Sequence, residues 1–143
     1  MTRGADLTDA LEQCLQGISQ ANGYHTNIQH VYADGNGKPD KAPLPCLLFE
    51  LGTDLTQERK GKTAKRVVQY RIEAFFSRSA TVRDVQLCHH DILKALGYDQ
   101  LVPRKQFGLA AIQDEQTEYS PAQEGSTLKG LVCEIAVNYV ENY

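Results

Sequence analysis

VVQYRIEAFF, residues 67–76, decides the fold. Val68, Tyr70, Ile72, Ala74 and Phe76 alternate with Gln69, Arg71, Glu73 and Phe75, the two-residue period of a strand with one buried face and one mostly wet face. Upstream, residues 46–52 repeat the pattern, with Leu47, Phe49 and Leu51 on one side. Between these two runs stand Arg59, Lys60, Lys62, Lys65 and Arg66, which read as the connection of a hairpin. They contribute +5 to a formal net charge of -3, so the rest of the chain carries -8. A basic finger on an acidic body marks a contact surface for a neighbouring subunit, a partner ring or a phosphate backbone.

Working outward, Leu7, Leu11, Cys14, Leu15 and Ile18 fall at helical spacing, with Asp6 or Thr8 as candidate caps and Asn22-Gly23 as a left-handed exit. Residues 24–32 read as a strand, and 33–45, interrupted by Gly35, Gly37, Pro39, Pro43 and Pro45, as a surface loop. Val82, Val85, Cys88, His89, Ile92, Leu93 and Leu96 form the apolar stripe of a second helix closed by Gly97. Residues 99–108 read as irregular, 109–119 as a weaker strand and 120–126 as a turn. In the last run Leu131, Cys133, Ile135, Val137 and Tyr139 alternate with more polar neighbours. The order is helix, three strands, helix, two strands. Consecutive strands with short connections favour an α+β domain with a mostly antiparallel sheet, two helices on one face and a protruding basic hairpin.

The 143 residues fit one domain, 1–143. A hydrophobic fraction of 41% and a charged fraction of 23% match a globular chain, and no apolar run could span a bilayer. The first ten residues lack a secretory signal pattern, so the cytoplasm is the expected site of synthesis. Cys14, Cys46, Cys88 and Cys133 lie far apart with no C-x-x-C pair, as expected of reduced core residues.

The chemical motifs argue against catalysis. Gly61-Lys62-Thr63 resembles the end of a phosphate loop, but Thr56 stands where the first glycine is required and a strand follows instead of a helix. The loop with Asp34, Asn36 and Asp40 lacks calcium ligands where Lys38 and Pro45 stand. His89 and His90 diverge by about 100° on a helix, and His89, in the apolar stripe, is expected to be a core or rim histidine with a satisfied nitrogen. His25 and His30 would face opposite sides of a strand. No metal set, cofactor site or nucleophile–base pair emerges, and the chain is not expected to be an enzyme.

Six segments together resemble one known family: Ala21-Asn22-Gly23-Tyr24 after the opening helix, Val31-Tyr32, Pro45-Cys46-Leu47-Leu48-Phe49-Glu50, Tyr70-Arg71-Ile72-Glu73-Ala74, the mid-chain helix, and Glu134-Ile135-Ala136-Val137-Asn138-Tyr139. The chain is similar to the tail terminator proteins of long-tailed phages, of the minor tail protein U type. The resemblance implies a structural protein of the virion tail, a homo-oligomeric ring, usually a hexamer. Such a ring sits on the tail tube protein, stops its polymerisation and offers a surface to the head–tail connector or neck protein. In that setting Arg59, Lys60, Lys62, Lys65 and Arg66 would contact the adjacent protomer, the tube protein or, non-specifically, DNA in the lumen. Other tail-completion or head–tail joining proteins share similar lengths and patterns and are one alternative; a small nucleic-acid-binding module using the same cations is another.

Overall fold

A computed structural model describes residues 2–33, 37–99, 111–121 and 128–143, excepting the side chains of 111, 113 and 114. It has helices α1 (Arg3–Gln16) and α2 (Val82–Ala95) and strands β1 (Val31–Tyr32), β2 (Cys46–Lys60), β3 (Thr63–Ser77), β4 (Ala111–Ser120) and β5 (Leu128–Asn142). The strands form one sheet in the order β1-β2-β3-β5-β4. All neighbours are antiparallel except β1 and β2, which pair in parallel. The α+β class read from the sequence holds.

The period-two signal of β3 is expressed in full. Val68, Tyr70, Ile72, Ala74 and Phe76 are buried, and opposite the first four on β5 lie Val137, Ile135, Cys133 and Leu131. Leu7, Leu11 and Leu15 of α1 and Val85, Cys88 and Ile92 of α2 belong to the same core, so both helices cover this face.

Several boundaries differ from the sequence expectation, each for a local reason. Residues 24–30 are not a strand. Their amides bond to single partners, Ile28 N to the Ile18 carbonyl and Gln29 N to the Pro45 carbonyl, and only Val31 and Tyr32 enter the sheet. The cap of α1 is Thr2, whose hydroxyl accepts from Ala5 N at 3.2 Å, not Asp6 or Thr8. The helix stops at Gln16. The left-handed Gly23, at φ +90°, closes a separate 3₁₀ turn at Gln20–Asn22. β2 and β3 run on through the basic segment, leaving Gly61 and Lys62 as a two-residue turn. Gly61, at φ +56°, supplies the positive φ that a type II′ turn requires at its first central residue. The expected irregular region at 99–108 and the turn at 120–126 lie mostly outside the described residues.

Polar groups far apart in sequence lock the frame. Glu141 near the end of β5 is buried, and its carboxylate accepts from the amides of Arg3 and Gly4 at 3.0 Å each, serving two of the free N–H groups that begin α1. α2 is capped by Thr81 and Asp84 reciprocally, and the bond from Thr81 N holds the Asp84 carboxyl below its usual range. At Gly130 a Cβ would overlap the Ala74 carbonyl oxygen, so the β3–β5 pairing needs glycine there. Gly130→Ala is expected to destabilise the fold by about 2 kcal/mol or more, seen as a lower urea midpoint at unchanged slope. A midpoint equal to wild type would mean that the two strands separate at no cost.

Candidate functional site

The basic segment is the distal end of a three-stranded ribbon. β3 pairs with β2 on one side and with β5 on the other, out to Lys60↔Thr63 and Thr63↔Asn142, and Tyr143 N donates to the Lys62 carbonyl at 2.8 Å. A free two-stranded finger is therefore not what the backbone forms. β5 backs the turn and stiffens it.

Within this ribbon the five cations have different surroundings. Arg66 faces the helix side and is held by three bonds, from Nε to Asp54 Oδ1 at 2.8 Å, from Nη1 to Thr56 Oγ1 at 2.6 Å and from Nη2 to the Asp54 carbonyl at 3.3 Å. Tyr139 on β5 donates to the other Asp54 oxygen at 2.6 Å. Arg66, Asp54 and Tyr139 thus tie β3, β2 and β5 together where the β2 register shifts between Leu51 and Asp54. Lys65 lies across the strand from Glu58, 3.6 Å away and well exposed on both sides, a pairing that adds little to stability. Arg59, Lys60 and Lys62 are exposed, and among the described residues no carboxylate is within ion-pair distance of them. Of the five residues singled out in the sequence, three remain as uncompensated surface charge at the turn.

The flank of β2 is the second feature. β1 covers only Leu47 and Leu48, so among the described residues β2 has no neighbour on that side from Phe49 to Lys60. Leu51 and Leu55, 61% and 62% exposed, stand on this open stretch. A groove lined by Leu51, Asp54, Arg66, Tyr139 and Tyr143 runs between it and the start of α1. At the opposite edge of the sheet, β4 pairs, among the described residues, only with β5 and carries the exposed Glu118. The described residues therefore present a long edge ending in cations and a second edge bearing the exposed Glu118.

Beneath β4 lies a polar cluster. His89 of α2 bonds Tyr119 Oη through Nδ1 at 3.0 Å and Glu115 Oε1 through Nε2 at 3.1 Å. Thr117 joins both, and the Cys133 thiol points to Glu115 at 3.7 Å. Burial opposes ionisation of Glu115, yet the bonds from Thr117 and His89 prevail and hold its carboxyl below the usual range. Burial pushes the Cys133 thiol up to about 11 and the Cys88 thiol up to about 12, so neither is a thiolate nucleophile at neutral pH. The expectation of a satisfied His89 holds. Cys46, Cys88 and Cys133 are buried free thiols and Cys14 is half-buried.

Sequence reasoning missed one grouping. His25 and His90 come together beside the fully buried Asp91, with one ligand atom from each of the three residues within 4.8 Å of the others. Only the packing of the 24–30 segment on α2 creates it, so no spacing in the chain could have signalled it.

Burial and the contact with Asp54 raise the Tyr139 phenol above the ordinary tyrosine value. The folded state holds this proton more tightly than the unfolded chain. Its contribution is therefore complete below about pH 10 and lost as pH rises from there toward the higher folded value. Tyr139→Phe is expected to cost about 1.5 kcal/mol at pH 8 and to flatten the alkaline loss of stability, compared by urea unfolding at pH 8 and above pH 10. An alkaline slope equal to wild type would remove Tyr139 as its source. In comparisons with known proteins, no family model matches the chain and no curated protein matches it.

Proposed function

We propose that this chain is a structural tail protein of a long-tailed phage, which closes into a ring on the end of the tail tube, stops its polymerisation and provides the surface for head attachment. The open side of β2, ending at Arg59, Lys60 and Lys62, carries this reading. A ring is built from heterologous contacts, in which one surface of a protomer meets a different surface of the next. An unpaired strand edge supplies main-chain donors and acceptors for such a contact, and natural monomers usually protect edges of this length. The cations at one edge and the exposed Glu118 on β4 at the other give the two surfaces opposite sign, which favours a head-to-tail arrangement over a symmetric pair.

The resemblance to tail terminators adds the hexameric stoichiometry, the tube protein as the template and the neck or connector protein as the partner on the other face. A second reading, favoured by the three charges at the turn, is non-specific binding of nucleic acid. It competes poorly because the chain is acidic overall and no aromatic residue lies in the basic segment to stack on bases.

Native mass spectrometry over a concentration series, with and without the cognate tube protein, tests the assignment. Wild type is expected to give hexamers, alone or on the tube. The Arg59→Glu, Lys60→Glu, Lys62→Glu triple variant is expected to remain folded by circular dichroism and to lose the ring. A wild type that stays monomeric and ignores the tube, or a triple variant that assembles normally, would overturn this arrangement. Tight, steeply salt-dependent DNA binding by wild type would favour the second reading.

A further inference from the structure

We infer that His25, His90 and Asp91 form a binding site for a divalent transition ion of the Zn²⁺ type, which fastens the 24–30 segment to α2. Asp91 is fully buried, and peptide groups fix its carboxylate. Thr26 N donates to Oδ2 at 2.8 Å, and His25 N reaches Oδ2 at 3.0 Å and Oδ1 at 3.2 Å. Oδ2 takes the two shorter bonds. Oδ1 takes only the longer share of one, and faces His90 Nδ1 at 3.9 Å. A carboxylate oxygen that keeps lone-pair capacity and is held by backbone donors is a preorganised ligand.

The two imidazoles complete the set. Their centroids are 5.8 Å apart and their planes inclined at 59°, so they converge without stacking face to face. Both side chains are exposed and turn about free χ angles. In a tetrahedral zinc site with bonds of about 2.0–2.1 Å, adjacent ligand atoms lie roughly 3.4 Å apart. The present spacing, within 4.8 Å, closes by side-chain rotation while the backbone stays in place. The carboxylate comes from the rigid wall and the imidazoles from the solvent side, which leaves the fourth position to water. Two imidazoles and one carboxylate suit zinc and its first-row neighbours. Magnesium and calcium prefer sets made of oxygen alone.

The surroundings hold the ligand backbone in place. Gln20 Nε2 donates to the His25 carbonyl at 3.2 Å, and the left-handed Gly23 turns the chain toward α2. Lys94, one turn beyond His90, directs its ammonium to the Gly23 carbonyl at 3.3 Å and over the Tyr24 ring, so it braces the same segment from the other side. Without metal the segment is anchored to α2 through Asp91 and Lys94. With metal His25 is fixed as well.

The test uses the full chain with Zn²⁺ and with Co²⁺ as a spectroscopic probe. Competition against a chromophoric chelator is expected to give one ion per chain, and Co²⁺ is expected to show the intense visible bands of four-coordination. His25→Ala and His90→Ala should each weaken binding by roughly tenfold or more. His30→Ala, which removes an exposed histidine packed on Tyr32, should leave it unchanged. Zinc should also raise the thermal midpoint of wild type by about 9 °C at a hundredfold excess over its dissociation constant, and leave that of the His25→Ala, His90→Ala double variant where it was. Both histidines are exposed, so their removal spares the core, and circular dichroism verifies the fold. Wild-type affinity no greater than that of the double variant, or an equal loss on His30→Ala, would overturn the site. Neither result depends on ring formation.

Discussion

The pairing of β3 on both sides is the constraint on which the rest of the structure depends. Its ladder to β5 runs unbroken from Thr63 to Ser77, and its ladder to β2 runs from Thr63 to Phe75 with two register shifts. Alternation along β3 sends Val68, Tyr70, Ile72, Ala74 and Phe76 to one face, and that apolar strip is what both helices pack against. A slip of one residue would turn the whole strip to solvent. Gly130, where β5 passes close to the Ala74 carbonyl, holds the register at one end. The Arg66–Asp54–Tyr139 network holds it toward the other.

Two buried carboxylates act as connectors between distant segments. Glu141 brings the end of β5 to the amides that open α1, and Asp91 brings α2 to the amides of His25 and Thr26. In each case an acid that would be costly to bury alone is matched to backbone N–H groups that would otherwise lack partners. The His89 cluster does similar work between α2 and β4, where two ring nitrogens, two hydroxyls and a carboxylate satisfy one another. In the described structure this internal polar chemistry holds elements together.

Charge on the ribbon separates in the same way. Arg66 belongs to the frame, Lys65 sits opposite Glu58, and Arg59, Lys60 and Lys62 face outward around a rigid turn. A turn backed by β5 presents its cations in a fixed arrangement, so little ordering entropy opposes a contact there. The open flank of β2 beside it could join a neighbouring sheet at the cost of few rearrangements.

The sequence by itself determined the element order, the α+β class, the faces of β3 and β5 and the stripe of α2, because each rests on a periodicity shorter than the element that shows it. It also located the basic residues, the buried cysteines Cys46, Cys88 and Cys133, and His89 as a rim histidine with satisfied nitrogens, while Cys14 is only half-buried. It extended the strand at Val31–Tyr32 back to residue 24, since alternation over 24–30 is weak and single hydrogen bonds to Ile18 and Pro45 take the place of a ladder there. It placed the cap of α1 too late, at Asp6 or Thr8: the Thr2–Ala5 bond is local, whereas Glu141 meets the Arg3 and Gly4 amides only once β5 is in position. Which cations stay uncompensated, which edge of the sheet lies open, and that His25 meets His90 over Asp91 are facts of tertiary structure alone. Each depends on contacts between residues far apart along the chain, and no local pattern encodes the distance between them.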